Sequence, residues 1–217
     1  MTAMPPSPSE TLRRVERATR GDHGALGELL EQFRDRMRRM VALRLDPRLQ
    51  GRVDPSDVIQ EGYIDAALRL DEYARDPSAP FYIWLRFLVG QRVQEQHRRH
   101  LATPGREVGR EVSIYRGAMP GASTGALAAR LLGKLTSPSR AAMRAERRIQ
   151  LQEALNRMDP LDREILVLRH YEQMTNGDAA AALGLDKSAA SKRYTRALAR
   201  LKEILAALPG GASEEGS

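Results

Sequence analysis

The sequence predicts an all-α protein of two small helical domains joined by a long linker. Three observations carry that reading. Apolar residues recur at three- and four-residue steps through most of the chain. Between Leu101 and Ser139 the pattern changes, with Gly, Ala, Ser, Thr and Pro becoming frequent, as in a linker. Beyond it, two helical patterns flank Gly184, a residue without a Cβ that can take positive φ and turn the chain sharply. At 217 residues the chain is long enough for two domains with real cores.

Residues 1–9 are proline-rich and read as a loose tail rather than a secretion signal. The first domain is expected over 10–100. Leu12, Val15 and Ala18 mark one helix. After Gly21, with Asp22 as cap, Leu26, Leu29, Leu30, Phe33, Met37, Met40, Val41 and Leu45 mark a second, which Pro47 ends. Asp54 and Pro55 open a third, in which Val58, Ile59, Ile64, Ala67, Leu68 and Leu70 are expected on the buried side and Asp57, Gln60, Glu61 and Asp65 on the other. The next segment, FYIWLRFLVGQRVQEQHRRH, starts apolar and ends basic. Its rings offer stacking surfaces for unpaired bases and its guanidinium groups can meet phosphates. Phe81 and Trp84 suit core packing equally well.

Within the linker (101–139), Leu127, Leu131, Leu132 and Leu135 fall at helical spacing and predict a short docking helix. The second domain is expected over 140–208. Ile149, Leu151, Ala154, Leu155 and Met158 lead to Asp159 and Pro160, which cap and open a helix bearing Ile165, Leu166, Leu168 and Tyr171. The Ala-rich piece 177–183, Gly184, Leu185 inside the turn and Asp186 as cap introduce a last helix. There Ala190, Tyr194, Ala197, Leu198, Leu201, Ile204 and Leu205 form the apolar stripe and Ser191, Lys192, Thr195 and Arg196 face away. A helix so divided can lie in a DNA major groove, although a solvated helix in an ordinary bundle has the same pattern. Residues 209–217 form a Gly/Ser/Glu-rich tail.

Composition narrows the classes. Lys and Arg number 35 against 28 Asp and Glu, a net charge of +7, which favours a polyanionic partner. Cysteine is absent, so disulfides and thiolate metal sites are excluded. No apolar run approaches the roughly 18 residues of a membrane span, and neither end carries a lipidation signal. The expectation is a soluble cytoplasmic protein, with no membrane partner and no cofactor. His97 and His100 are the only histidines near one another, without acidic or thiol companions, and no phosphate loop or nucleophile motif occurs; no metal site and no catalytic residue are expected.

Three stretches in order resemble one family. DPSDVIQEGYIDAALRL is similar to the region 2.2 helix of sigma-70-type RNA polymerase sigma factors of the extracytoplasmic-function (ECF) group, with its Asp-x-x-Gln-Glu pattern on Asp57, Gln60 and Glu61. FYIWLRFLVGQRVQEQHRR resembles regions 2.3 and 2.4, and Arg193, Arg196-Ala197 and Leu201 match the Arg-x-x-Arg-Ala-x-x-x-Leu run of region 4. The linker is similar to that of a subgroup with extended connections. Gly90-Gln91 stands where the family often has Arg-Asn, Glu95 where it has Asp, and Ala189-Ala190 where it has Thr-Val.

The resemblance implies a non-enzymatic sigma factor whose region 2 bundle and region 4 helix-turn-helix direct promoter recognition and transcription initiation. Its partners would be core RNA polymerase, through the clamp coiled coil and flap of the large subunits, promoter DNA, and a candidate anti-sigma factor. Asp57, Gln60 and Glu61 match the polymerase-docking face. Trp84, Arg86, Gln91, Arg92, Glu95, Arg98 and Arg99 match or flank the positions that open and hold the minus-ten element. Ser191, Lys192, Arg193, Thr195 and Arg196 match the minus-35 contacts. Three rivals stand beside it: a helix-turn-helix regulator acting without polymerase, which leaves the Asp57/Gln60/Glu61 face without a role; an enzyme; and an inactive relative that sequesters polymerase.

Overall fold

The computed structural model describes residues 7–49, 51–101, 119–133 and 141–207. Every regular element among them is helical, and the chain divides into two compact units. The first comprises Met1–Pro120 with Ala181–Gly184, the second Gly121–Ala180 with Leu185–Ser217.

The helices of the first unit start where local chemistry permits. Ser7 caps α1 (Pro8–Thr19) by accepting from the Glu10 N–H, with Pro8 at the first helical position. Gly21 takes φ +96° in the turn that follows, and Asp22 then caps α2 (His23–Arg44) through the Ala25 N–H. Asp54 accepts from the Ser56 N–H at 2.7 Å to open α3 (Pro55–Leu68), which is followed by α4 (Leu70–Arg75) and α5 (Phe81–His100). The core lies among α2, α3 and α5: Leu29, Met37, Met40, Val41, Val58, Leu85, Val89 and Val93 are fully buried. Each such side chain contributes about 1.5–3 kcal/mol on burial, which is why the pairing of these three helices dominates the unit.

The buried face of α3 differs from the expected one. It consists of Val58, Ile59, Gly62, Asp65 and Ala66, whereas Ile64 is 61% exposed, Leu68 is 79% exposed and Ala67 is exposed. The reason is close approach. A Cβ on Gly62 would stand 2.6 Å from Val89 Cγ2 and 3.0 Å from Val89 Cα, so α3 and α5 meet over small residues rather than over large ones. Gly62→Ala is therefore expected to destabilise the first unit by about 1–3 kcal/mol, because the Val89 backbone has to move. Urea unfolding measures it, and an unchanged midpoint would contradict the tight contact.

In the second unit, α6 (Thr124–Gly133) is the docking helix expected inside the linker. It packs on α7 (Ala141–Arg157). Leu127 and Ala128 are fully buried, Leu131 and Leu132 are half-buried, and Leu135 lies outside the described residues, as do both tails beyond Ser7 and Ala207 and most of the linker. Thr124 Oγ1 donates to Asn156 Oδ1 at 2.9 Å, so the start of α6 is also pinned by a polar contact. Ile149, expected on the apolar stripe of α7, is 59% exposed.

Asp159 caps α8 (Pro160–Leu166) by accepting from the Leu161 and Asp162 N–H groups. The helix then widens into a π turn over Val167–Tyr171, where the Glu172 N–H donates to the Val167 carbonyl. Ile165, Leu166, Val167 and Leu168 are all buried, so the chain is enclosed all round here and no amphipathic period marks the widening. α9 (Asn176–Leu183) and α10 (Lys187–Ala206) follow. Gly184 between them takes φ +62°, and Asp186 caps α10 through the Ala189 N–H at 2.7 Å.

Candidate nucleic-acid interface

Three surfaces carry the residues singled out from the sequence. The first is the outer stripe of α3. Asp57 and Gln60 are exposed and Glu61 is half-buried, and Ile64 and Leu68 continue the same stripe at helical spacing. Glu61 Oε2 is buried and accepts no hydrogen bond among the described residues. A carboxylate oxygen left in that state favours a cationic or N–H donor brought by a partner. The sequence reading missed the two apolar members, because it assigned them to the core.

The second surface is α5. Trp84 is half-buried and its ring stacks on Tyr73 with centroids 4.7 Å apart, while Phe81 lies 5.4 Å away. One part of this residue packs and another stays accessible. Arg86, expected among the strand contacts, is only 3% exposed and belongs to the interior.

Arg92 is also engaged inside the unit. Its Nε donates to Asp65 Oδ2 at 2.6 Å, its Nη2 to Asp65 Oδ1 at 2.5 Å and its Nη1 to Glu95 Oε2 at 2.8 Å. These carboxylate bonds raise its pKa further, and the Arg92 and Arg99 guanidiniums hold the Glu95 carboxyl below its ordinary value. Asp65, expected on the solvent side, is 8% exposed. Gln91 is half-buried, and Arg98 and Arg99 are exposed, with Arg99 bonded to Glu95. Arg98 has no ion-pair partner among the described residues. The His97 ring is occupied too: its Nε2 accepts from the Asp46 N–H at 3.0 Å, and burial lowers its pKa.

The third surface is α10. Ala190, Ala197, Leu201 and Ile204 are buried, whereas Ser191, Lys192, Thr195 and Arg196 are exposed along a shallow groove that Asp186 and Ser188 also line. Leu198, expected on the stripe, is 39% exposed. Arg193 is half-buried and engaged within the unit: its Nη1 bonds Asp162 Oδ1 at 2.6 Å and lies 3.6 Å from Asp159 Oδ1. The side chain thus ties the start of α10 to the start of α8. Tyr194 bonds His170 Nε2 through its hydroxyl at 3.0 Å. Lys192 and Arg196 make no ion pair among the described residues, so two cations and two hydroxyls are presented outward from one rigid helix.

Comparison with known proteins agrees with this geometry. A family model described as sigma-70, region 4 matches residues 148–201, the stretch that contains the helix-turn-helix. The chain is 31% identical over 207 residues to the RNA polymerase sigma factor NccH of Alcaligenes xylosoxydans xylosoxydans, covering 92% of this chain and 96% of that one. The chain belongs to the sigma-70 family of RNA polymerase sigma factors, ECF group. It is also 29% identical over 194 residues to the ECF RNA polymerase sigma factor SigD of Mycobacterium tuberculosis, covering 89% of this chain and 83% of SigD. The solved structure of CnrH in complex with the cytosolic domain of CnrY superposes with a TM-score of 0.53 at 21% identity, over 92% of this chain and 99% of that one, which shows the shared fold. As an ECF sigma factor, the protein serves promoter-directed transcription initiation by RNA polymerase, and sigma factors are not themselves catalytic. Among the described residues no helix is long and apolar enough to cross a membrane.

Proposed function

We propose that this ECF sigma factor divides its work among the three surfaces. The outer stripe of α3, with Asp57, Gln60 and Glu61, docks on the clamp of core RNA polymerase. α5, with Trp84 near its start, Gln91 in its middle and Arg98 and Arg99 at its exposed end, holds the opened minus-ten strand. The outer face of α10 reads the minus-35 element in the duplex, and the second unit meets the polymerase flap. The protein works in the cytoplasm, and an anti-sigma factor that covers one of these faces is a further partner.

The observation that carries this reading is α10, where Ser191, Lys192, Thr195 and Arg196 are exposed while Ala190, Ala197, Leu201 and Ile204 on the same helix are packed away. Only a partner that enters from outside can use such a face, and hydroxyls with cations on one helix match phosphate oxygens and base edges. Arg196→Ala is expected to weaken use of the minus-35 element by about 1–3 kcal/mol if the guanidinium reads a base. Run-off transcription on templates with and without that element measures it. Equal loss of yield on both templates would contradict the assignment to minus-35 reading.

A further inference from the structure

The Arg92 guanidinium is held by two carboxylates, and from one of them the bonds continue along α5. Asp65 stands on α3 one helical turn beyond Glu61, and Glu95 bonds Arg99 at 2.5 Å near the exposed end of α5. A run of charge-assisted hydrogen bonds therefore reaches from α3 through Arg92 and Glu95 to Arg99. Gly62 removes the slack between the same two helices, because Val89 lies where a Cβ would be.

Burying an ion pair adds little to stability, since desolvation offsets the attraction, and the best-attested use of such pairs is to fix register. Here the register in question is that of α3 against α5. Three of the five guanidinium N–H donors of Arg92 are taken within the unit, one on each nitrogen, which fixes the plane of the group against Asp65 and Glu95.

We propose that Asp65 and Arg92 are positioning residues that hold the strand-opening helix α5 in register on the polymerase-docking helix α3, and that this pairing, not a phosphate contact, is what Arg92 contributes to strand opening. The proposal rests on the roles assigned to α3 and α5 above. It differs from the simple reading of α5, in which each basic residue is a DNA ligand.

The test uses the whole protein assembled with core RNA polymerase on a promoter located by sequencing transcript starts made with the unmodified chain. Four proteins are compared: the unmodified chain, Asp65→Leu, Arg92→Met and the double variant. The readouts are permanganate reactivity of the minus-ten thymines at saturating core polymerase and the salt dependence of promoter binding. Each single variant leaves one charge without its partner, and opening is expected to fall about tenfold. The double variant replaces the pair by apolar side chains of similar volume, and opening is expected to return to within about threefold of the unmodified level. The salt slope is expected to stay the same throughout.

A double variant as deficient as Arg92→Met, with the salt slope reduced by about one, would make Arg92 a phosphate ligand and overturn the proposal. Equal opening by all four proteins would also overturn it. Leu43→Ala, a cavity in the same unit, is the control for lost stability. If it impairs opening as much as the single variants at a temperature where all are folded, the pair is structural only. If the unmodified chain forms no complex with core polymerase, the reading of α3 fails first and the proposal falls with it. If that chain opens the promoter and the variants do not follow the expected pattern, the proposal alone fails.

Discussion

Replacing Asp57 and Glu61 with lysine is expected to abolish binding to core RNA polymerase while leaving the helical fold in place. Asp57 is exposed in the first turn of α3, where its charge favours the helix N-terminus, so the reversal there costs about 0.3–1 kcal/mol. That loss is small beside the burial of Val58 and Ile59 on the opposite face. In the complex the sign matters far more, because like charges brought together across an interface cost several kcal/mol. Circular dichroism would show an unchanged helix signal, and gel filtration with core polymerase would show two separate peaks. Co-elution of the double-lysine variant would contradict the assignment of this face.

Leu127→Ala is expected to destabilise the second unit by about 2–5 kcal/mol, as for other fully buried leucines. Leu127 and Ala128 of α6 have no exposed surface, and α6 packs on α7 and on the π turn that follows α8. Deleting 126–135 would not isolate the contribution of the linker, because it removes Leu127 and Ala128 from the core of the unit that carries α10. The single substitution separates the two effects: thermal unfolding reports the core, and promoter affinity at a temperature where the variant is folded reports the linker. Unfolding at the temperature of the unmodified protein would show that α6 is not part of that core.

Local chemistry made much of the fold legible. Asp22, Asp54, Asp159 and Asp186 cap helices as their positions require, and Gly184 takes the positive φ that its place after α9 demands. These features depend on neighbours within a few residues. The buried face of α3 was less legible because Gly62 and Ala66 are small, and because Asp65 is buried only with the help of Arg92, 27 positions away. The same applies to the candidate site. Ser191, Lys192, Thr195 and Arg196 were placed correctly on the outer face by periodicity alone. Arg193 and Arg92 look like DNA ligands in sequence, yet each turns inward to a carboxylate on another helix, which no spacing rule reveals.

The most direct measurement is to mix the purified chain with core RNA polymerase and genomic DNA and to sequence the 5′ ends of the RNA made. The expected result is a set of defined start sites absent with core polymerase alone, with two shared elements at a fixed separation upstream, one for α5 and one for α10. Failure to bind core polymerase, or RNA starting at no particular location, would contradict the assignment of these three surfaces to one act of initiation.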